Sequence, residues 1–278
     1  MKFKKLYIYL AIISLLGLTF INAFYINPKT ITVRQETITT NNPDLSDLTV
    51  VFFSDLHFNT SINTDNIEQL TALVNAFDPD IILFGGDLVD HYSLKPLSGD
   101  DETILVDNLR KMHANLAKYA VYGNHDIDSP LIKENVTRIL NNADFEILNN
   151  TSTKVYRNKK ALLNIVGIDS IALGNPDVET AYRVVDEELF TIALCHTADI
   201  FDDINTAQTN LLLSGHSHGG QIYLPLLNTF YRPLGTKNYF KGKFTKDNTL
   251  LDITNGVGTT LKDIRLLADA EIVVYKFN

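Results

Sequence analysis

Apolar positions along this chain fall into three kinds of block, and each predicts a different element. The first is a near-continuous apolar run over residues 6–26 with no charged side chain, preceded by Lys2, Lys4 and Lys5. Roughly 20 such residues cross a bilayer, so the run predicts a membrane-spanning helix. A cleaved signal peptide is the alternative, but its apolar region is usually about 7–15 residues and ends in small residues. Ile21-Asn22-Ala23 fits that ending poorly, which favours a retained anchor. The leading lysines favour a cytoplasmic N-terminus and place the globular part on the outer side of the membrane, although Lys29 and Arg34 on the other flank are also basic. The chain thus divides into an anchor, residues 1–28, and one globular domain, residues 29–278.

The second kind of block is a short continuous run, at 48–53, 81–84, 119–122, 190–195 and 210–213. Such runs read as strands buried on both faces. Residues 30–39 alternate apolar and polar, which predicts a strand with one covered face. Further strands are predicted at 145–148, 154–156, 161–168, 221–224, 249–253 and 271–277. The third kind has helical spacing, as in Ile67, Leu70, Leu73, Val74 and Phe77, ended by Asp78-Pro79. Helices are predicted likewise over 103–116, 131–140 and 178–185. Strand–helix alternation early and strands late predict an α/β fold of two packed mixed β-sheets flanked by helices.

Five of the predicted strands end in residue types that bind metals. Val50-Val51-Phe52-Phe53 runs into Ser54-Asp55-Leu56-His57, and Ile81-Ile82-Leu83-Phe84 into Gly85-Gly86-Asp87. Tyr122 precedes Gly123-Asn124-His125-Asp126, Cys195 precedes His196, and Leu213 precedes Ser214-Gly215-His216-Ser217-His218-Gly219-Gly220. Ligands of open α/β sheets bind beyond the carboxyl ends of strands, so parallel neighbours would bring all five loops together. In an extended loop, residues two apart point the same way, so Asp55 and His57 are expected to share one ion. Asp87 has two oxygens with which to bridge two ions. Singly, each residue has a bland reading: Asp87 as a turn or cap, His196 as a half-buried histidine, Gly123-Asn124 as a turn. The series of five carries the reading. Asp126 is expected to cap the next helix or orient His125. His91, after Asp90, reads as a neighbour of the site or solvated, and His113 as a surface residue of a helix. Tyr231, Arg232, Lys237, Tyr239 and Lys241 form a basic, aromatic stretch, either a solvated loop or a lip over the site.

The order Asp-x-His, Gly-Asp, Gly-Asn-His-Asp, His, Gly-His-x-His, from Asp55 to His218, resembles the calcineurin-like metallophosphoesterase superfamily. Gly215-His216-Ser217-His218-Gly219-Gly220-Gln221, with Arg265 and Glu271 near the C-terminus, looks like its membrane-associated bacterial branch, similar to UDP-diacylglucosamine hydrolases. The resemblance implies a four-layer sandwich and two divalent metal ions. It implies that Asp55, His57, Asp87 and His218 bind the first ion and that Asp87, Asn124, His196 and His216 bind the second. His125 would stand beside the substrate phosphate as the catalytic acid. Mn is the first choice of metal, with Fe or Zn as alternatives, since carboxylate, imidazole and amide ligands suit all three. Two departures bear on loop shape: Asn59, where Gly often follows the first block, and Thr197-Ala198-Asp199, where His-x-Pro-Asp is common.

Composition then narrows the function. A formal charge of -9 repels phosphate backbones and argues against nucleic acid as a partner, but bound cations invert the field locally. The single cysteine, Cys195, excludes an internal disulfide. The expected activity is cleavage of a phosphoester or pyrophosphate bond by metal-activated water. The expected substrate is a phosphorylated small molecule or a lipid-linked, UDP-diacylglucosamine-like compound, at a bacterial inner or cytoplasmic membrane. The alternatives are a phosphodiesterase acting as a nuclease of the same superfamily and a non-catalytic metal-binding module.

Overall fold

A computed structural model of the chain describes residues 2–58, 61–90, 96–97, 99–225, 227–229 and 232–278. Asn59, His91 and Tyr231 lie outside the described residues. The apolar N-terminal run forms α1 (Lys2–Ile21), continued by a π-helical turn, Asn22–Ile26. Leu6, Ile13, Leu16 and Leu18 along α1 face outward, each at least half exposed. By length and composition the span Lys4–Lys29 suffices to cross a membrane.

The rest of the fold is built on two six-stranded sheets. The first has the order β1-β14-β2-β3-β4-β5, built from β1 (Thr32–Ile38), β14 (Glu271–Phe277), β2 (Thr49–Phe53), β3 (Ile81–Phe84), β4 (Ala117–Ala120) and β5 (Glu146–Ile147). All neighbours are parallel except β14 and β2. Parallel neighbours need long crossovers, and α2 (Thr64–Asn75), α3 (Gly99–Lys111) and α4 (Pro130–Asn142) supply them. The second sheet has the order β12-β13-β9-β8-β7-β6: β12 (Gly242–Lys246), β13 (Thr249–Ile253), β9 (Leu211–Ser214), β8 (Phe190–Cys195), β7 (Lys160–Ile168) and β6 (Thr151–Arg157). Its four central strands are parallel and each edge closes as an antiparallel hairpin. A short separate pair, β10 (Tyr223–Leu224) and β11 (Asn228–Thr229), lies apart from both sheets.

Side-chain alternation along the strands explains the layers. Val50, Phe52, Ile81 and Leu83 meet Leu163, Ile165, Ile192 and Leu194 between the sheets. Their neighbours Val51, Phe53, Ile82 and Phe84 pack outward against Ile67, Leu70, Leu109 and Val136 of the helices. On the other flank Val166, Ala193 and Leu212 pack under Ala181 of α5 (Val178–Tyr182) and Phe201 of a 3₁₀ turn. β3 throughout and β2 from Val50 onward are apolar because both faces are covered.

α3 and β12 differ from expectation, as do β4, which runs over Ala117–Ala120 and not 119–122, and β11, which no apolar pattern marks. α3 starts and ends about one turn earlier than its apolar spacing predicts. Asp100, Asp101 and Glu102 in its first turn and Arg110 and Lys111 in its last complement the helix dipole. His113 consequently lies in the following turn, where its backbone N–H donates to Asn75 Oδ1 at 2.8 Å. The apolar pattern does not predict β12, because as an exposed edge strand it carries almost no apolar alternation.

Candidate metal centre

The loops that follow β2, β3, β4, β8 and β9 gather residues able to hold a metal. Asp55, His57 and His218 form one group, Asp87, His196 and His216 a second, and His57, Asp90 and His125 a third that overlaps the first; within each the donor atoms lie within 4.8 Å of one another. Asp87 stands between the groups. Its Oδ2 is 3.0 Å from His196 Nε2 and 3.8 Å from His57 Nε2. Asn124 lines the same cleft, and its buried Oδ1 has no hydrogen-bond partner.

The backbone that achieves this is not the extended loop expected from sequence. Asp55, His57, Asp87, His216 and His218 all have positive φ, from 46° to 67°. Asp55 and His57 therefore converge through two left-handed residues and not through strand alternation. Asn124 is likewise helical (φ -68°, ψ -31°) and leads into a 3₁₀ turn over His125–Ile127. Its side chain and that of His125 diverge by the helical step. Left-handed non-glycine residues cost on the order of 1–3 kcal/mol each and persist only where the surroundings over-determine them.

Those surroundings are visible. Asp55 N–H donates to Gly86 O at 2.9 Å and Gly258 N–H to Asp55 O at 2.7 Å. Both Asp55 oxygens accept from His216 N–H, at 3.0 and 3.1 Å. Asp126 neither caps α4 nor orients His125. Its carboxylate accepts from the N–H groups of Asp87, Leu88 and Gly123, at 2.8, 2.8 and 2.9 Å, and so ties the Gly-Asp loop to the Gly-Asn-His-Asp loop. The cap of α4 is Ser129. Two glycines are dictated by close approach: a Cβ on Gly123 would fall 2.1 Å from Asp87 Oδ1, and one on Gly215 would fall 2.3 Å from Ser54 Oγ.

Three of the imidazoles are oriented from behind. His196 Nδ1 lies 2.7 Å from Gly85 O, His216 Nε2 2.9 Å from Leu234 O, and His218 Nδ1 3.1 Å from Gly258 O. A carbonyl only accepts, so each of these nitrogens carries the proton, and in the neutral ring the opposite nitrogen presents a lone pair inward. Backbone carbonyls commonly fix metal-binding histidines in this way. His196 Nε2 thus faces Asp87 Oδ2 at 3.0 Å without hydrogen-bond geometry, whereas His57 Nε2 lies 3.1 Å from His218 Nε2 in hydrogen-bond geometry, with His57 as the donor. Two facing lone pairs repel unless a proton or a cation lies between them. The donor set of carboxylates, imidazoles and one amide oxygen fits divalent ions.

Electrostatics keep three of the four imidazoles neutral. Burial, then the His218 ring, pushes His57 down to about 3. Burial, then Arg265, pushes His218 to about 3, and burial, then His196, pushes His216 to about 4. Neutral imidazoles are what metals require. Burial also opposes the charge on Asp87, yet His196, His125 and His57 together hold its carboxyl well below the usual range. Burial works against His196 as well, but Asp87 and then Asp55 raise it to about 9.

His125 lines the cleft, a cavity of about 410 Å³ bounded on its far wall by Ile222, Pro233, Leu261 and Ile264. Its Nδ1 lies 3.2 Å from Asp90 Oδ1, whose residue is buried. Sequence reasoning misses Asp90 as a site residue. The available signal is an acidic residue three positions after Asp87. Arg265 stands out in the sequence only through the resemblance to a branch. It is fully buried and donates to the carbonyls of Ala268, Asn255, Gly256 and Gly258. Gly258 O is also the carbonyl that holds His218. The described part of the basic, aromatic stretch supports the ring of His216 through Leu234 O. It is pinned by Asp199, which accepts from the N–H groups of Lys237, Asn238 and Tyr239. Arg232 stacks on Phe240, and Lys241 donates to Asn255.

Known proteins resemble this chain in sequence. The chain is 29% identical over 258 residues to the uncharacterized metallophosphoesterase YkuE of Bacillus subtilis, covering 91% of this chain and 87% of that one. It is 27% identical over 226 residues to the phosphodiesterase YaeI of Escherichia coli, covering 81% and 80%. A zebrafish (Danio rerio) transmembrane protein with a metallophosphoesterase domain is 27% identical over 241 residues, 82% of this chain and 52% of that one. Residues 48–220, which include all five motif-bearing loops, match the family model described as calcineurin-like phosphoesterase. On that span the chain belongs to the calcineurin-like phosphoesterase family and is a hydrolase of phosphoesters.

Proposed function

We propose that residues 29–278 form a catalytic domain that uses two divalent cations, held at a bacterial inner or cytoplasmic membrane by residues 1–28 with the domain on the outer side. Asp55, His57 and His218 would hold one cation and Asn124, His196 and His216 the other, with Asp87, which stands between the two sets, available to both. Mn is the first choice, with Fe or Zn as alternatives. Such cations supply Lewis-acid polarisation of the phosphoryl oxygens and a water acidified toward neutral pKa. His125, its Nδ1 held by Asp90, delivers a proton from Nε2 to the leaving oxygen. Lys262 at the rim of the cleft offers a positive charge to an anionic substrate group.

The observation that carries this reading is the convergence of Asp55, His57 and His218 and of Asp87, His196 and His216 into groups whose donor atoms lie within 4.8 Å of one another, beside the unpartnered Asn124 Oδ1. The substrate proposed is a lipid-linked phosphoester or pyrophosphate. The apolar far wall of the cleft and the apolar helix support it. The formal charge of -9 disfavours a nuclease.

The test is turnover by the metal-loaded full chain of a nitrophenyl phosphodiester, and then of a membrane lipid extract analysed for the species that disappears. No turnover of any phosphoester by a chain with its full ion content would support a non-catalytic module. Cleavage of nucleic acid in preference to lipid would support the nuclease.

A further inference from the structure

The end of the apolar helix is hydrogen-bonded into the wall of the cleft. Arg265 N–H donates to Ala23 O at 2.9 Å. Asn27 Nδ2 donates to Asp269 Oδ1 at 3.0 Å. The segment between them is paired to the cleft wall: Leu266 N–H donates to the carbonyl of the lining residue Gln221 at 2.7 Å, and Leu266 O accepts from Tyr223 N–H at 2.9 Å. Leu261, Lys262 and Ile264, a few residues earlier, line the cleft itself.

Helix length sets where this junction falls. From Lys5, about 20 helical residues at about 1.5 Å each traverse roughly 30 Å of hydrocarbon. The far boundary then falls near Ala23 and Tyr25. Tyrosines favour such boundaries, and Tyr7, Tyr9 and Tyr25 stand exposed at the two ends of the run. Arg265 is therefore held at the level of the headgroups. Leu261 is four residues from Arg265 and so within about 14 Å of it, and Leu267 is two residues away. Both are more than half exposed, at 66% and 55%, as are Leu227 and Leu234, at 71% and 72%.

We propose that Leu261 at the cleft, together with the exposed Leu267, Leu227 and Leu234, rests in the bilayer surface beside the anchor, so that the cleft opens onto lipid. The occupant of this apolar surface is the membrane. The inference rests on the reading of residues 1–28 as an anchor and adds that the domain is not held off the bilayer on a tether. A phosphoester enters the cleft laterally while its acyl chains stay in the membrane.

The chain contains no tryptophan, which makes a direct test available. A tryptophan is placed by Leu261→Trp, and separately by Tyr156→Trp. Tyr156 is exposed on β6 at the end of the second sheet remote from the metal loops. Each full-length variant is reconstituted into phosphatidylcholine vesicles, with and without bromine on the acyl chains near the headgroup. The Leu261→Trp emission should shift to the blue and lose most of its intensity in the brominated vesicles, while the Tyr156→Trp emission should not change. Leu267→Trp should behave as Leu261→Trp and serves if the latter fails to bind metal. Equal, negligible quenching at all three positions in vesicle-bound protein overturns the proposal. Failure of the protein to pellet with vesicles overturns the anchor reading instead, and failure to cleave a soluble diester overturns the catalytic one.

Discussion

Replacing Asp90 by Asn keeps the shape of the side chain and removes its charge. Asp90 Oδ1 lies 3.2 Å from His125 Nδ1, at the long end of hydrogen-bond range, and Oδ2 lies 3.8 Å from His57 Nδ1, beyond it. The loss should therefore reach turnover through His125 and leave metal content near normal. A hydrogen bond to a charged group contributes about 1.5–3 kcal/mol, and about 1.36 kcal/mol is tenfold in rate. Asp90→Asn should thus slow hydrolysis by roughly 10–100-fold. His125→Asn removes the proton donor itself and should cost roughly 100–10,000-fold. Both losses should be largest for diesters with poor leaving groups and shrink for nitrophenyl esters, whose leaving oxygen needs little help. The assay is kcat at saturating Mn for the two single variants and the double variant, with ion content measured on each. The double variant should be no slower than His125→Asn alone, because Asp90 acts through that ring. A double variant whose loss is the product of the single losses would refute the coupling. Equal losses for good and poor leaving groups would refute the proton-donor role.

Other variants separate ligands from supports. His216→Asn should lose metal and activity together, as read by elemental analysis and diester turnover. Arg265→Met removes a buried guanidinium from four carbonyls and should cost about 3–5 kcal/mol of stability, seen as a melting temperature lower by roughly 10 °C; an unchanged melt would exclude the bracing role. A chain beginning at residue 29 should be released from membranes yet cleave a soluble diester, since the hydrogen bonds lost at Ala23 and Asn27 contribute only about 1 kcal/mol each. Chelation of the metals should lower the melting temperature, by about 4 kcal/mol of stabilisation where the free ion had stood at a thousandfold its Kd.

Much of this architecture is legible in the sequence because it depends on local pattern. Continuous apolar runs mark the buried strands, and the metal-binding residue types stand where those runs stop. The spacing of Ile67, Leu70 and Val74 marks α2. What the pattern cannot give is backbone handedness. Nothing in Ser54-Asp55-Leu56-His57 announces two left-handed residues, since such conformations usually select Gly or Asn, and here contacts from Gly86 and Gly258 impose them. The partners that fix the histidine rings are backbone carbonyls at Gly85, Leu234 and Gly258, invisible to a reading by residue type. Arg265 stands out in the sequence only through a family resemblance, and only the fold shows that four carbonyls surround it. Asp126 looks like a helix cap because it precedes α4, but its three donors come from loops brought in by β3 and β4.

The central claim is that two cations share Asp87, and it is tested most directly by counting metal. Purified full-length protein loaded with Mn and freed of excess should carry close to two ions per chain by elemental analysis. Asp87→Ala should lose most of both, because the side chain removed stands at 3.0 Å from His196 and 3.8 Å from His57. An Asp87→Ala protein that still held two ions, or a wild-type protein that took up only one, would contradict the shared-ligand account.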